Sequence, residues 1–514
     1  MRLRIWAGMT EPESQPGWIA DRRGWQRVAL AALAGAAAGL GQVPFSLFWL
    51  ALPAFALGYL LWRVSVSGRA AFGAGWAFGL GYFAVTLHWI VEPFLVDVAR
   101  HGWMAPFALV LLSGGLALFW GAAFALTHAM RSGPAGIVGW AGALSLAELL
   151  RGNILTGFPW ALPGYIWSET SVFQVLSLVG PYGLTLMTLL VAAGLARVAL
   201  PQGRLSGAML VVVLAALMMA PAMLGTAPLG PEGPVIRLVQ PNAPQEEKWD
   251  PDKVNMFFRR QLEFTAEPAE VMPALVVWPE TAIPWALERA GDTLSYVADA
   301  AAGVPVVLGA NRREDGRSYN ALAVVEAEGR VTGLYDKHHL VPFGEYIPFG
   351  GLAELVGLRS FAARDGYGFS PGPGPRLLDF GALGSAVPLI CYEAIFPGSL
   401  RGTSRRPDWI LQITNDAWFG KIAGPQQHLA QARARAIEQG LPMVRVANTG
   451  ISAMIDAQGH VVASLPLGEA GYLDVALPPR LEHTVYSRVA DNPAWVASLL
   501  CLLAGYAGRR KFSG

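Results

Sequence analysis

The chain has 514 residues, of which 53% are hydrophobic and only 15% charged, with a mean hydropathy of +0.39; this is too apolar for an ordinary soluble protein and points to one that spans a membrane. Its 38 Lys and Arg nearly cancel its 37 Asp and Glu, so there is no net field of the kind that nucleic-acid binding calls for, and no nucleic-acid partner is expected. The two cysteines, Cys391 and Cys501, lie far apart in unlike settings, which gives no basis for a disulfide framework.

From the N-terminus, the stretch MRLRIWAGMTEPESQPGWIADRRGW has no apolar core next to its charges, so no cleavable signal peptide is expected and the first apolar span would act as an uncleaved anchor. Seven spans are read at 27–41, 45–62, 71–92, 103–127, 135–150, 171–198 and 206–226, and an eighth at 494–508. The longer ones suffice to cross a hydrocarbon layer of roughly 30 Å as helices. Alternate loops collect the basic residues: Arg2, Arg4, Arg22, Arg23 and Arg27, then Arg63 and Arg69, Arg131, Arg197 and Arg204, and finally Arg509, Arg510 and Lys511, against little beyond Arg100 and Arg151 in the other short loops. This asymmetry predicts both termini in the cytoplasm and the long segment between spans seven and eight on the opposite side. Glu148 and Arg151 stand at the end of the fifth span, with Arg151 expected to face the outer interface. The Gly-x-Gly pattern in FGAGWAFGLGYF, 72–83, lies in an apolar span with no nucleotide-binding strand beside it, and is read as close helix packing.

Three segments follow: a membrane part at 1–228, a globular α/β part at 229–488, and a last span with its tail at 489–514. Strands are predicted in PVIRLVQPN, ALVVWPE, VPVVLGAN, NALAVVEAEG, SAVPLICYE, DWILQITND, PMVRVANTG and SAMIDAQGHVVA, short Val/Ile-rich runs between polar stretches. GPQQHLAQARARAIEQG reads as a helix opened by Gly424-Pro425 and closed at Gly440. SPGPGP, 370–375, is a loop.

Polar residues suited to acyl chemistry stand at three places in this domain: Glu280 in VVWPETAIP, Lys337 in LYDKHHLVPFGEYIPFG and Cys391 in LICYEAIFP. A thiolate can attack a carbonyl, a carboxylate can take the thiol proton, and an ammonium can stabilise the oxyanion. If a helix begins in YEAIFPGSL, its amides would lower the Cys391 pKa. Each residue alone has an ordinary explanation, as a core cysteine, a turn carboxylate or a solvated lysine; their occurrence in order within one domain is what points to chemistry. His338 and His339 are adjacent, and in a strand would face opposite ways, and His428 stands alone on the predicted helix, so no metal is expected.

The boxes WPETAIP, YDKHHLVPFGEYIP and ICYEAIFP resemble those of the nitrilase, or carbon-nitrogen hydrolase, superfamily. Seven spans before such a domain and one after it resemble the bacterial apolipoprotein N-acyltransferase family, as do VQPNAPQEEKWD, LQITNDAWFG, QHLAQARARAIEQGLPMVRVANTGISAMID and TVYSRVADNPAW. One departure is YSRVAD, where Val489-Ala490 stand at a place expected to hold glycine. The resemblance implies a polytopic helical membrane domain plus an extracytoplasmic αββα sandwich. It implies Glu280 as general base, Lys337 as oxyanion-stabilising cation and Cys391 as nucleophile. It also implies Glu345 as a support for the lysine and base, Tyr392 and Glu393 beside the nucleophile, and Trp249 and Trp418 near the pocket mouth, the two tryptophans being equally open to plain packing. The activity implied is ping-pong transfer of an acyl chain, through a thioester, from a phospholipid donor to the α-amine of a diacylated apolipoprotein, the final step of lipoprotein maturation in the bacterial inner membrane, with no cofactor. Two rivals stay open at this point: a membrane-tethered amidase using the same three residues with water, and a transporter or structural membrane protein whose outer domain only binds.

Overall fold

The computed structural model describes residues 16–131, 135–223, 233–348 and 368–509; the expectations placed on Arg2, Arg4, Arg510, Lys511 and the side chain of Arg509 fall outside the described residues. Two compact units divide the chain, one formed by residues 1–95, 99–226 and 488–514, the other by 96–98 and 227–487.

In the first unit a helix occupies each of the eight apolar stretches: Gly24–Gly39, Phe48–Arg63, Gly68–Thr86, Ala105–Thr127, Ala135–Asn153, Leu176–Val198, Arg204–Met223 and Asn492–Arg509. Among the described residues, Val98–Met130, Ser171–Val198 and Pro201–Pro221 are long and apolar enough to cross a membrane, and Gly68–Thr86 with His88–Leu95 makes a fourth if counted as one bent span. Several of the others are short and rich in Ala and Gly because they pack on neighbouring helices. A Cβ on Gly35 would lie 1.8 Å from the Phe78 carbonyl oxygen and one on Gly81 2.0 Å from that of Ala32, so two helix backbones touch there and the glycine pattern at 72–83 serves packing. The third stretch is not straight: its two parts meet at 67°, next to Thr86, whose hydroxyl donates back to the Tyr82 carbonyl at 2.9 Å and so competes with the helix ladder. Gly180, at φ 66°, breaks the helical path just before Pro181, which has no amide to continue the ladder. The last helix is tied to Ala135–Asn153 by a hydrogen bond from Ser498 Oγ to Ser145 Oγ at 2.8 Å. Ala490, at the position where glycine was expected, has φ 56°, a left-handed conformation that glycine would adopt without strain.

Arg151 does not face an outer interface. It is buried against Glu148 one turn back, Nε to Oε1 at 3.0 Å, and Glu148 Oε1 also accepts from Trp120 Nε1 at 2.8 Å. Arg151 Nη2 donates to Oε2 at 2.5 Å, so each oxygen of the buried carboxylate is answered by a donor.

The second unit is two six-stranded sheets. In chain order the strands are β1 Val235–Gln240, β2 Leu275–Val277, β3 Val306–Glu314, β4 Arg317–Val325, β5 Val331–Asp336, β6 Leu378–Asp379, β7 Ser385–Ile390, β8 Trp409–Thr414, β9 Met443–Ala447, β10 Ser452–Ile455, β11 Val461–Leu465 and β12 Gly471–Ala476. One sheet has the order β12-β1-β2-β3-β4-β5 and the other β11-β10-β9-β8-β7-β6. The parallel runs β1-β2-β3 and β7-β8-β9 form the sheet centres and are covered on both faces, which is why their sequences are nearly continuous apolar runs. Helix Gly291–Ala301 packs through Leu294 and Val297 on the first sheet, and helix Gly424–Gln439 through Ala432 and Ala436 on the second. Between the sheets Gln240 Oε1 of β1 accepts from the Ser452 amide and hydroxyl of β10 at 3.1 and 2.6 Å. The stretch read as one strand, SAMIDAQGHVVA, is the hairpin β10-β11, turned at Asp456, whose Oδ1 accepts from the amides of Gln458 and His460. Three strands, β5, β6 and β12, went unpredicted: two are half-exposed edge strands with weak apolar runs, and β6 has two residues.

Candidate active site

Each of the three sequence boxes sits where regular structure ends. β2 runs into Trp278-Pro279-Glu280, and Thr281 follows at φ 48°. The turn is pressed against β3, where a Cβ on Gly309 would fall 2.6 Å from Glu280 Cα and 2.4 Å from the Thr281 nitrogen; only glycine leaves room for this close approach. β5 ends at Asp336, and Lys337 comes next, its amide donating to the Asn320 carbonyl at 2.8 Å. β7 ends at Ile390 and delivers Cys391 at φ 51° into a turn of 3-10 helix, Cys391–Ile395. Phe343, in the Lys337 box, is also left-handed at φ 63°. Non-glycine residues in this region cost about 1–3 kcal/mol each and cluster where function demands a fixed geometry.

These ends bring Glu280, Lys337, Cys391 and Glu345 together. Lys337 Nζ lies 2.9 Å from Glu345 Oε1 and 3.7 Å from Glu280 Oε1. Glu280 accepts from Asn320 Nδ2 at 2.6 Å on Oε1 and from the Asn415 amide at 2.8 Å on Oε2. Glu345 Oε2 accepts from the Val341 amide at 2.8 Å, closing the Lys337 loop on itself. Glu280 and Cys391 are each 6% exposed and Lys337 1%, so the charges act in a nearly water-free setting. Burial raises the Glu280 pKa above the usual carboxylate range against the pull of Lys337. For Lys337 burial acts against the charge, but Glu345 and Glu280 outweigh it and the ammonium is held well above its ordinary pKa. Burial, then the Glu280 carboxylate, push the Cys391 thiol up. The helix-amide lowering expected for this thiol is therefore overridden: the turn is only five residues long, too short to offset desolvation. A neutral thiol beside a carboxylate acceptor and a fixed cation has the parts for general-base-assisted attack on an acyl carbonyl, with the thiolate formed only as attack proceeds.

Glu393 holds two boxes in register. Its carboxylate accepts from the amides of Ile390, His338 and His339 at 2.7, 2.8 and 3.1 Å and from the Tyr335 hydroxyl at 2.9 Å. Although burial disfavours its charge, His338 and the Ile390 amide keep its pKa below the usual range. Tyr392 is buried edge-on to Phe396 at 5.1 Å. Trp249 and Trp418 are half-buried; Trp249 lines a small cavity with Lys248, Phe257 and Thr281 beside the Glu280 turn.

Sequence reasoning missed the groups beneath these residues. His428, read as solitary, is fully buried, with Nδ1 2.9 Å from Asp416 Oδ1 and Nε2 3.1 Å from the Cys391 carbonyl oxygen. Gln412 Nε2 donates to the same carbonyl at 3.3 Å, and Arg445 Nη1 donates to Gln412 Oε1 at 2.7 Å. Despite burial, Arg445 and His428 bring the Asp416 pKa down to about 2. Burial lowers the His428 pKa against the pull of the Asp416 carboxylate. Lys248 donates to the Glu280 carbonyl at 3.2 Å and to Thr281 Oγ1 at 2.9 Å, and burial pulls its pKa down to about 8. The available signal was one polar residue interrupting each buried strand: Gln412 in WILQIT and Arg445 in MVRVA are register partners.

Residues 236–485 match the carbon-nitrogen hydrolase family, and residues 34–194 match the apolipoprotein N-acyltransferase N-terminal domain. Among solved structures the chain is similar to XC1258 of Xanthomonas campestris, a CN-hydrolase superfamily protein, at 21% identity and a TM-score of 0.35 over 51% of this chain and 96% of that one. It is also similar to an amidase of Nesterenkonia sp. AN1 at 18% identity and a TM-score of 0.33, over 51% of this chain and 96% of that one. Far more extensive is the likeness to the apolipoprotein N-acyltransferases of Caulobacter vibrioides, 39% identical over 95% of both chains, and of Rhodopseudomonas palustris, 37% identical over 93% of this chain and 95% of that one. With both parts of the chain matched and relatives alike along nearly their whole length, the chain belongs to the apolipoprotein N-acyltransferase family, an acyltransferase branch of the nitrilase superfamily.

Proposed function

We propose that this acyltransferase moves an acyl chain from a phospholipid to the α-amine of a diacylglyceryl-modified N-terminal cysteine, through a thioester on Cys391. The observation that carries this is Lys337 Nζ set between the Glu280 and Glu345 carboxylates, with the buried Cys391 thiol within the electrostatic reach of both Lys337 and Glu280. Glu280 takes the Cys391 proton as sulfur attacks the donor's ester carbonyl, and Lys337 stabilises the oxyanion. The C–O bond breaks, the leaving alkoxide takes the proton from Glu280, and lysophospholipid departs. The acceptor amine then attacks the thioester, Glu280 receives its proton, and the C–S bond breaks to restore the thiol by return of that proton. Glu345 supports Lys337 and Glu280; Tyr392 and Glu393 fix the turn of the nucleophile; Trp249 and Trp418 flank the entrance. Low exposure of the site favours the amine over water at the thioester stage.

Both substrates reside in the bilayer, so the same proposal places the enzyme in the bacterial inner membrane with eight crossings. Its parts are a membrane domain at 1–228, a catalytic domain at 229–488 on the extracytoplasmic side and a last span with a cytoplasmic tail at 489–514. The basic-loop asymmetry supports this orientation. A reporter inserted at Gly316, in the turn between β3 and β4, is expected to read extracytoplasmic and one after Gly514 cytoplasmic; a cytoplasmic signal at Gly316 overturns the topology. The activity is tested by incubating the purified chain with acyl-labelled phospholipid and a diacylated lipopeptide. Labelled triacylated peptide is the expected product, and release of free fatty acid alone would make the enzyme a hydrolase.

A further inference from the structure

Asn320 touches three of the four groups gathered at the site and belongs to none of the sequence boxes. Its carbonyl accepts the Lys337 amide at 2.8 Å. Its Nδ2 donates to Glu280 Oε1 at 2.6 Å and to Glu345 Oε1 at 3.0 Å, the same two oxygens that flank Lys337 Nζ. The amide is 3% exposed, and its Oδ1 is buried with no hydrogen-bond partner among the described residues. Buried carbonyls are nearly always paired, so an orphan of this kind calls for a cause. The two carboxylates supply it: the opposite orientation would set the amide oxygen against two acceptor oxygens and leave both donors unused. The two amide hydrogens diverge, one for each glutamate.

We propose that Asn320 is a positioning residue for acyl transfer, whose one amide nitrogen clamps the Glu280 and Glu345 carboxylates side by side and keeps Glu280 ionised and aimed at the reacting proton. Asn320 has this role only if Glu280 is the base proposed above. A hydrogen bond to an ionised carboxylate favours that form, and burial already works against it here. Loss of the clamp leaves Glu280 with the Asn415 amide and with Lys337 at 3.7 Å. Its proton affinity rises, so the thiol loses its acceptor at a pH where the wild type still has one.

The test reads Cys391 directly and needs no lipid. In the full-length protein carrying Cys501→Ala, the rate of Cys391 alkylation by iodoacetamide is followed against pH by the mass of the peptide that contains it. Asn320→Leu is expected to move the acid limb of this profile upward by about one to two pH units, the equivalent of one hydrogen bond to a charged group, and to recover the wild-type rate on the alkaline plateau. Asn320→Asp, which replaces both donors by a third carboxylate, should move it at least as far. If Asn320→Leu does not fold, Asn320→Thr serves in its place. A limb that stays put in both variants, or a rate lowered equally at every pH as a purely structural role would give, overturns the proposal. Failure of the wild-type chain to form an acyl adduct with phospholipid would instead refute the proposed function, leaving the alkylation profile to report on Asn320.

Discussion

Phospholipid alone, with no acceptor present, is expected to leave one acyl group on the enzyme, on the peptide that contains Cys391. Neutral hydroxylamine should release it as it does a thioester, and a diacylated lipopeptide should discharge it. Cys391→Ala should abolish labelling and turnover, whereas Cys501→Ala, in the helix Asn492–Arg509, should leave both nearly unchanged. Cys391→Ser is the sharper variant. The thiol is already pushed above its ordinary pKa by burial and by Glu280, and a hydroxyl in the same setting is far harder to deprotonate, so transfer should fall by roughly three orders of magnitude or more. Full transfer in Cys391→Ala, or an adduct mapped elsewhere, would reduce Cys391 to a packed residue at a strand end.

Glu280→Gln and Lys337→Met should each lower the rate of thioester formation by about 10²–10³ or more without unfolding the domain, and their pH profiles should differ. The base must be ionised to accept a proton, so the wild-type rate falls as pH drops through the raised Glu280 pKa. In Glu280→Gln that limb should vanish together with the rate. In Lys337→Met it should remain and move to higher pH, because the cation that favours Glu280 ionisation is gone while Glu345 still opposes it. A Lys337→Met profile with an unmoved limb would show that the lysine does not govern the protonation of Glu280. Near-normal rates in either folded variant would remove that residue from the chemistry.

Part of this site was legible in the sequence because two of its strand ends are marked locally, Pro279 and Glu280 after LVV and Cys391 after SAVPLI. Lys337 follows β5, whose weak apolar run did not mark it, and was singled out by its polar box alone. The supporting layer was not legible, because its partners are distant in the chain. Asn415 reaches Glu280 across 135 residues, and His428 reaches the Cys391 carbonyl across 37. Arg237 interrupts the apolar β1 for a reason found only in β12, where Asp474 Oδ1 and Oδ2 each accept from it at 2.7 Å. Helix positions in the apolar half could be read from hydropathy; the 67° bend after Thr86 could not, since a side chain competing for a backbone carbonyl leaves hydropathy unchanged.

The Glu148–Arg151 pair bears on how the chain is made. The two side chains stand one turn apart on a single helix, so each charge finds its counterion as soon as that helix forms, before any neighbour has arrived. A lone glutamate or arginine entering hydrocarbon would have to wait for a partner helix or drag water with it. Here the two charges cancel within the helix itself, and Trp120, from another helix, adds its indole hydrogen bond to Glu148. The neutrality of the pair is thus a property of this one helix and asks nothing of the helices packed around it.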